Sequence, residues 1–332
     1  MMPKRTIQLI VALVAGVALQ VRVGAAPKAR PGTPAPRTPT ARSLSCGDLV
    51  GFQVRLDREG FSPGQIDGRT GANLSHALTA WQAANKLQPS GQPDCATWKA
   101  LGAASDQPAI TTYKLTDADI KGPFEKRIPP KLEDQAKLDT LGYQSPMERL
   151  AERFHASPEL LAQLNRGVPM TAGRTIKVPD VAPFDPDAKP VRDAANSDVR
   201  IEVSREESAL RATRADGTLV FYAPVSSGSL HDPLPIGDWK VTGIGWHPVF
   251  HYNPDLFWDA SPKDVGAAIK PGPNNPVGIV WIALNLEHYG LHGTPEPGHV
   301  GHTESHGCVR LTNWDAARVA ALVKPGTPVI FK

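Results

Sequence analysis

The sequence of 332 residues contains only three cysteines, few aromatic residues and almost no excess charge of either sign. Its one apolar run long enough to consider as a membrane segment lies at the N-terminus, which excludes a protein that crosses a membrane several times. Seven of the 36 basic residues lie in residues 1–42, where there is no acid, so the rest of the chain is net acidic. A nucleic-acid-binding fold of this size is ordinarily basic, and we set that class aside.

The first 25 residues have the pattern of a secretory signal. Lys4 and Arg5 form a charged start, and residues 7–19 are apolar except for one glutamine. This stretch is short for a membrane span, although an uncleaved anchor is the alternative. Residues 26–42 are rich in proline and predict an extended linker without a core. With either form of the signal, the rest of the chain is expected outside the inner membrane.

The export signal decides how the three cysteines are interpreted. In an oxidising compartment two cysteines are expected to pair and the third to remain free. Cys46 and Cys95 bracket one compact segment, whereas Cys308 lies far away in a segment of different character. We therefore predict a Cys46–Cys95 disulfide and a free thiol at Cys308, which makes Cys308 the first candidate for chemistry.

Residues 43–104 have the spacing of a small helical domain. Apolar positions predict three helices, the middle one from about residue 74 to residue 85. Three elements carry a match to a known family: Gly60-Phe61, Ile66-Asp67-Gly68 and Trp81-Gln82. In these elements the segment resembles the three-helix peptidoglycan-binding domain of the PGBD type, and the resemblance implies binding to peptidoglycan. A generic three-helix spacer is the alternative.

Residues 111–182 predict a small α+β module, and residues 183–197, with their prolines, predict a linker. A strand is expected near Tyr113, two helices follow, and a strand is expected at residues 176–178. This order resembles a LysM-type glycan-binding module, from which it departs by a long insert before Tyr143. A plain linker domain is the alternative.

Residues 198–332 change character, because helical periodicity nearly vanishes. Short alternating segments punctuated by glycine predict an all-β, sandwich-like domain, with a single helix from Asn313 to Leu322. The chain is thus expected to be multidomain. A small three-helix domain comes first, a small α+β module second, and the all-β domain last.

The residues around Cys308 have the composition that a thiol nucleophile needs. A base must take the proton or the thiol pKa must fall, and His292 and His306 are both candidate bases nearby. Gly307 lets the backbone approach a substrate closely, so the N–H groups of Gly307 and Cys308 are candidates for an oxyanion hole. Arg310 offers a charged fork suited to a carboxylate.

Other interpretations of the same residues stay open at this point. Cys308 is an inert buried thiol in one of them, although its polar flanks argue against an apolar core. His306 serves in another only to orient the loop. Five histidines lie within residues 288–306, but no zinc spacing matches them, so neither a metal nor another cofactor is expected.

The segment from His292-Gly293-Thr294 to Ser305-His306-Gly307-Cys308-Val309-Arg310-Leu311 resembles the catalytic signature of the L,D-transpeptidases, the YkuD-like domain. The resemblance covers about 130 residues and implies a β-sandwich catalytic domain. Cys308 matches the family's nucleophile, and His292 matches the histidine that activates it. The positions that match supporting or substrate-binding residues are Gly293, Ser305, His306, Gly307 and Arg310.

The resemblance implies acyl transfer on peptidoglycan stem peptides, with peptidoglycan as partner and no nucleic acid. A tetrapeptide stem loses its terminal D-Ala to give a thioester, which an amine on a second stem or on an envelope lipoprotein resolves. Hydrolysis by water, as in an L,D-carboxypeptidase, and a non-catalytic wall-binding scaffold are the alternatives. The expected location is the bacterial cell envelope, in the periplasm.

An aromatic loop upstream of the signature, residues 246–258, has two possible roles. Its tryptophan, phenylalanine and tyrosine side chains either line the groove for the acyl donor or form a second hydrophobic cluster under a long loop.

Overall fold

The computed structural model describes residues 46–102, 107–189, 191–192, 194 and 198–332. The predicted signal and proline-rich linker lie outside the described residues, as does part of the linker predicted at residues 183–197. Among the residues that are described, no helix is both long and apolar enough to cross a membrane.

Three short helices form the first domain. They are α1 (Leu49–Arg58), α2 (Ala72–Ala84) and α3 (Cys95–Gly102). Helix α1 begins where the Asp48 side chain accepts a hydrogen bond from the N–H of Gly51 at 2.6 Å, which satisfies a donor that the helix start leaves free. The apolar faces that helical spacing predicts meet in one core, with Phe52, Leu78 and Trp81 buried.

A disulfide closes this domain. The structure pairs Cys46 with Cys95, the pair that the sequence predicts, across a separation of 49 residues. Closing a loop of this length stabilises the folded state by about 4 kcal/mol in the chain-entropy model, because the unfolded chain loses freedom. Cys308 remains a free thiol.

The middle module pairs two strands and places helices between them. Strand β1 (Ile110–Lys114) pairs antiparallel with β2 (Thr175–Pro179), and the helices are α4 (Asp117–Lys121), α5 (Leu132–Gln135), α6 (Pro146–Arg153) and α7 (Pro158–Leu164). Ser145 and Ser157 cap α6 and α7, and a proline follows each cap. The predicted α+β order is therefore confirmed, and α4 and α5 lie in the insert, residues 115–142. Glycan binding by this module stays a prediction.

The last domain is built on one sheet of nine strands. Its strands are β3 (Val199–Ser204), β4 (Ala209–Arg214), β5 (Leu219–Pro224), β6 (Ser226–Ser227), β7 (Gly237–Trp246), β10 (Val280–Leu284), β11 (Gly290–His292), β12 (Val309–Arg310) and β13 (Pro328–Phe331). Strands β8 (Phe250–Tyr252) and β9 (Ala267–Ile269) form a separate hairpin, and the predicted helix is α8 (Asn313–Leu322). The order in the large sheet is β5-β4-β3-β13-β7-β10-β11-β12-β6.

Strand β7 belongs to both halves of this sheet. Its first part, up to Lys240, pairs with β13, and its second part, from Val241, pairs with β10. The two halves share one apolar core, which includes Ile201, Ile282 and, from α8, Val319. The predicted sandwich-like architecture is thus confirmed, with one long strand continuing from one half into the other.

The three parts of the chain meet at a buried cluster of charged side chains. Asp57 of α1 accepts hydrogen bonds from Arg318 of α8 at 2.8 and 3.1 Å. It also lies 3.1 Å from Nδ1 of His155, the second residue after α6. Arg318 lies 3.5 Å from Asp315, which accepts a hydrogen bond from Ser62 at 2.7 Å. One polar network therefore joins the first domain, the middle module and the β domain.

The first domain also covers the outer edge of β5. The N–H of Tyr222 donates to the Gly60 carbonyl at 2.9 Å, and the N–H of Ser62 donates to the Tyr222 carbonyl at 2.8 Å. Phe61 thereby forms a parallel bridge with the strand. This edge of the sheet is paired within the chain.

Candidate active site

Two adjacent strands bring the predicted histidine and cysteine together. Strands β11 and β12 are parallel, and their register places His292 opposite Arg310 and Leu291 opposite Val309. Cys308 is the residue just before β12, so it lies one register step from the end of β11. Residues 16 apart in the sequence thus share one end of this strand pair.

His292 is buried and its orientation is fixed. Its Nδ1 lies 2.6 Å from the carbonyl oxygen of Gly293, and its ring stacks on Trp281 with centroids 5.4 Å apart. Because a carbonyl only accepts, Nδ1 carries the proton and Nε2 of the neutral ring keeps a free lone pair. Burial lowers the pKa of His292 to about 3, and the positive charge of Arg310 lowers it further than the Gly293 bond raises it.

The thiol of Cys308 is held beside this histidine strand. Its Sγ donates to the carbonyl oxygen of His288 at 3.4 Å. Burial raises the pKa of the Cys308 thiol to about 11, although a backbone hydrogen bond from Gly290 and the charge of Arg310 act in the opposite direction. At neutral pH the free site therefore holds a neutral thiol and a neutral imidazole.

The loop before Cys308 is fixed by Ser305 and Gly307. The Ser305 hydroxyl donates to the Cys308 carbonyl at 2.6 Å and accepts the N–H of Gly228 at 2.7 Å. Gly307 has φ of +97°, and a Cβ there would lie 2.7 Å from the Tyr289 ring, so only glycine suits this position. Among the hydrogen bonds of the described residues, none uses the N–H of Gly307 or Cys308.

His306 lies on the other side of the loop. Its Nε2 is 2.9 Å from Asp259 Oδ1, and its ring meets Phe257 edge-on with centroids 5.0 Å apart. These contacts tie the Cys308 loop to the segment after β8. They favour the orienting role for His306 over the role of base.

The site opens into a cavity of 920 Å³ lined by Cys308, His292 and Arg310 among others. From the aromatic loop, Tyr252 and Phe257 line this cavity and also belong to an apolar cluster with the hairpin of β8 and β9. Both roles predicted for that loop therefore apply to the same side chains.

Sequence reasoning missed several residues at this site. Tyr289 packs on Gly307, and burial, followed by the charges of Cys308 and Asp232, raises its pKa. Asp259 holds His306. Tyr289 stands just before the predicted strand of His292, and an aromatic residue there was the available signal. Nothing in the sequence marked Asp259.

Asn313, the first residue of α8, links the site to the middle module. Its Nδ2 donates to Glu152 Oε1 of α6 at 2.7 Å, and its Oδ1 accepts the N–H of Ile279 at 3.2 Å. A Cβ on Gly293 would lie only 2.0 Å from that Oδ1. The residue that receives the His292 proton donor is therefore packed against a side chain that the middle module holds.

Replacing Glu152 by glutamine is expected to stabilise the protein at pH 8 relative to wild type, and not at pH 5. Burial raises the pKa of Glu152 to about 7, although hydrogen bonds from Tyr143 and Asn313 lower it. A carboxyl whose pKa rises on folding contributes stability below its ordinary pKa of 4.5, and that contribution is lost as the pH rises through about 7. Glutamine avoids a loss on the order of 3 kcal/mol for such a shift.

Urea unfolding of wild type and Glu152→Gln at both pH values measures this difference. Glu159→Gln, on the exposed side of α7, is the control and should change the free energy of unfolding equally at pH 5 and pH 8. A Glu152→Gln effect that is the same at both pH values would contradict the raised pKa.

The histidines around Cys308 pair with carboxylates rather than with one another. The pairs are His288 with Glu287, His299 with Glu296 and His306 with Asp259. Within the described ranges, no three histidine, cysteine or acidic side chains converge as metal ligands would.

A free thiol beside a neutral histidine of fixed tautomer, in an open cavity, is the arrangement typical of cysteine-dependent acyl-transfer enzymes. Comparison with known families agrees with that class. Residues 198–331 match the model of the L,D-transpeptidase catalytic domain, YkuD, and residues 48–101 match that of a peptidoglycan binding domain.

Individual relatives point the same way. The YkuD protein of Bacillus licheniformis, named as an L,D-transpeptidase, is 27% identical over 186 residues, which is 55% of this chain and 91% of that protein. The Escherichia coli protein YbiS, also named as an L,D-transpeptidase, is 31% identical over 118 residues, 34% of this chain and 37% of its own length. A solved L,D-transpeptidase from Mycobacterium smegmatis aligns at 17% identity over 52% of this chain and 78% of that chain, with a TM-score of 0.34. The assignment rests on the sequence matches, not on that weak structural alignment.

The chain therefore carries an L,D-transpeptidase catalytic domain of the YkuD family behind a peptidoglycan-binding domain. The two domains together imply action on the cell wall, outside the cytoplasm. The middle module has no such family match to report, and its likeness to LysM modules stays a prediction.

Proposed function

We propose that this protein is a peptidoglycan L,D-transpeptidase that works through a thioester on Cys308. The observation that carries the proposal is the position of His292. Its Nδ1 is bound to the Gly293 carbonyl, which leaves Nε2 to accept a proton, and its strand lies beside that of Cys308. A cavity of 920 Å³ beside both residues leaves room for a peptide.

The proposed reaction moves one proton and exchanges one bond at each step. The sulfur of Cys308 attacks the carbonyl carbon of the third residue of a tetrapeptide stem, and the thiol proton passes to His292 Nε2. The bond from that carbon to the nitrogen of the terminal D-Ala then breaks, and the histidine returns its proton to the leaving amine. An amine on a second stem attacks the thioester and releases the thiol.

The pKa values of the free site favour proton transfer that accompanies attack. With the pKa of Cys308 near 11 and that of His292 near 3, a thiolate–imidazolium pair is unfavourable before the substrate is bound. A carbonyl carbon held at the sulfur removes that difficulty, because the developing charge moves from the sulfur to the carbonyl oxygen. The unused N–H groups of Gly307 and Cys308 are the donors that we assign to this oxyanion.

Arg310 has two parts in this proposal. Its charge lowers the thiol pKa and opposes protonation of His292 in the free site. Its guanidinium also lines the cavity, where it suits a carboxylate of the stem peptide. The proposed place of action is the periplasm, and a lipoprotein amine is an acceptor to be tested beside a second stem.

Mass spectrometry of a disaccharide-tetrapeptide incubated with residues 43–332, which form one compact unit, tests the function. Loss of D-Ala together with a cross-linked dimer is the expected result. Loss of D-Ala without a dimer, also when a lipoprotein peptide with a free lysine is supplied, would make the enzyme a carboxypeptidase instead. No loss of D-Ala would overturn the proposal.

A further inference from the structure

The cavity that holds Cys308 has a wall from outside the catalytic domain. Residues 130–133, from the insert of the middle module, line it together with Cys308 and His292. The two sides of this cavity therefore come from parts of the chain separated by more than a hundred residues. We call residues 128–135 the wall segment.

An apolar cluster holds the wall segment against the catalytic domain. Leu132 and Leu138 of the insert pack in this cluster with Leu141, which is fully buried. From the catalytic domain, Tyr252 of β8 and Ile269 of β9 complete it. The hairpin of β8 and β9 thus has the insert as its packing partner, and the position of the hairpin depends on the insert.

Hydrogen bonds fix the same contact. Glu133 accepts the N–H of Val265 at 3.1 Å. At the far end of the insert, the N–H of Leu141 donates to the Pro271 carbonyl at 3.1 Å, and the Leu141 carbonyl accepts the N–H of Asn274 at 2.9 Å. The insert is therefore bonded on both sides of the wall segment, and two prolines at positions 129 and 130 restrict its backbone further.

The wall segment also borders a second cavity. This cleft of 720 Å³ lies among the three parts of the chain, with Gln65 from the first domain and Glu148 from α6 in its lining. Four residues line both cavities: Pro130, Leu132, Pro276 and Arg310. The groove at Cys308 is thus continuous with this cleft past Arg310 and Leu132.

We propose that the wall segment contacts the peptidoglycan stem peptide bound at Cys308 and sets which stems the enzyme accepts. The peptide lies between the wall segment on one side and the hairpin of β8 and β9 on the other. Leu132 supplies an apolar surface for the methyl groups of the peptide's alanine residues. This inference rests on the proposed function, because it takes the stem peptide as the occupant of the cavity.

Two leucines of the insert provide a matched test. Leu132 and Leu138 belong to the same apolar cluster and both are half-buried, but only Leu132 lines the cavities. Leu132→Ala is expected to lower kcat/KM for the tetrapeptide by about 10-fold, mainly through KM, as the loss of apolar contact in a binding pocket does. Leu138→Ala should stay within about 2-fold of wild type, since it removes comparable packing outside the groove.

The rate at which iodoacetamide alkylates Cys308 shows whether the nucleophile is intact in both variants. We expect this rate to be unchanged in each. Equal losses of kcat/KM in Leu132→Ala and Leu138→Ala would mean that the insert acts only through stability, and the proposal would fall. An unchanged kcat/KM in Leu132→Ala would also overturn it.

Photocrosslinking separates this inference from the proposed function. A tetrapeptide stem that carries a diazirine is bound to the Cys308→Ala chain, irradiated and mapped by mass spectrometry, and label is expected in residues 128–135. If the wild-type chain releases D-Ala but label is confined to the catalytic domain, the wall segment is not part of the groove and the proposed function stands. Label in the wall segment without any release of D-Ala by the wild type supports the wall and contradicts the proposed function.

Discussion

Cys308→Ala is expected to lower the release of D-Ala from a tetrapeptide stem by about ten-thousand-fold or more, to the background without enzyme. The proposed reaction has no other nucleophile, because the thioester forms on this sulfur, and loss of the attacking atom in enzymes of this kind reduces turnover by that order. The thiol's one hydrogen bond as donor is a long one to the His288 carbonyl, so the fold should survive its removal. Mass spectrometry of released D-Ala and of the covalent adduct on the protein measures both consequences.

Two further variants frame this result. Cys308→Ser keeps the shape of the side chain but replaces the thiol by a hydroxyl that is far harder to ionise, and it should be nearly as inactive as Cys308→Ala. His302→Ala, in the exposed turn of the same loop, should retain wild-type turnover. Turnover by Cys308→Ala above one tenth of wild type would rule out the thiol mechanism.

Asp57→Ala is expected to lower the free energy of unfolding by about 3 kcal/mol at pH 7. Asp57 is completely buried, and its removal leaves the guanidinium of Arg318 without its main partner; breaking such pairs costs about 3–5 kcal/mol. We take the lower end because 26% of the Arg318 side chain is exposed to solvent. Chemical unfolding followed by tryptophan fluorescence measures the difference.

The same ion cluster gives the pH dependence a definite sign. Burial alone would raise the pKa of Asp57, but Arg318 and His155 outweigh it and hold that pKa well below its ordinary range. A carboxyl of this kind contributes stability above its unfolded pKa, near 4, and loses it as the pH falls. The gap between wild type and Asp57→Ala should therefore shrink below pH 4. Asp117→Ala, which removes only an exposed pair with Lys121, is the control and should leave stability unchanged at each pH.

Local patterns in the sequence predicted much of the fold. Alternation and glycine spacing predicted the β domain, and the apolar stripe from Asn313 to Leu322 coincides with α8. The spacing of the signature was enough to single out His292 and Cys308, because both lie at ends of strands that a short loop joins. The structure adds the reason for their pairing, which is the parallel register of β11 and β12.

Contacts between distant segments could not be predicted in the same way. Asp57 and Arg318 are 261 residues apart, and each looks like an ordinary surface residue in its own helix. The insert has only two helices of four or five residues, so it offers little periodicity to interpret. Its place beside Cys308 depends on packing against β8 and β9, which no local pattern encodes.

The pairing of β5 with the first domain has a consequence for any attempt to cut this protein down. A fragment that starts at residue 198 would leave the outer side of β5 with unpaired backbone groups, and Tyr222, now fully buried, would face solvent. Such an open strand side invites the same strand of another copy to take the place of Phe61. The isolated catalytic fragment should therefore self-associate and grow less soluble with concentration, whereas the longer chain blocks this growth with its own loop.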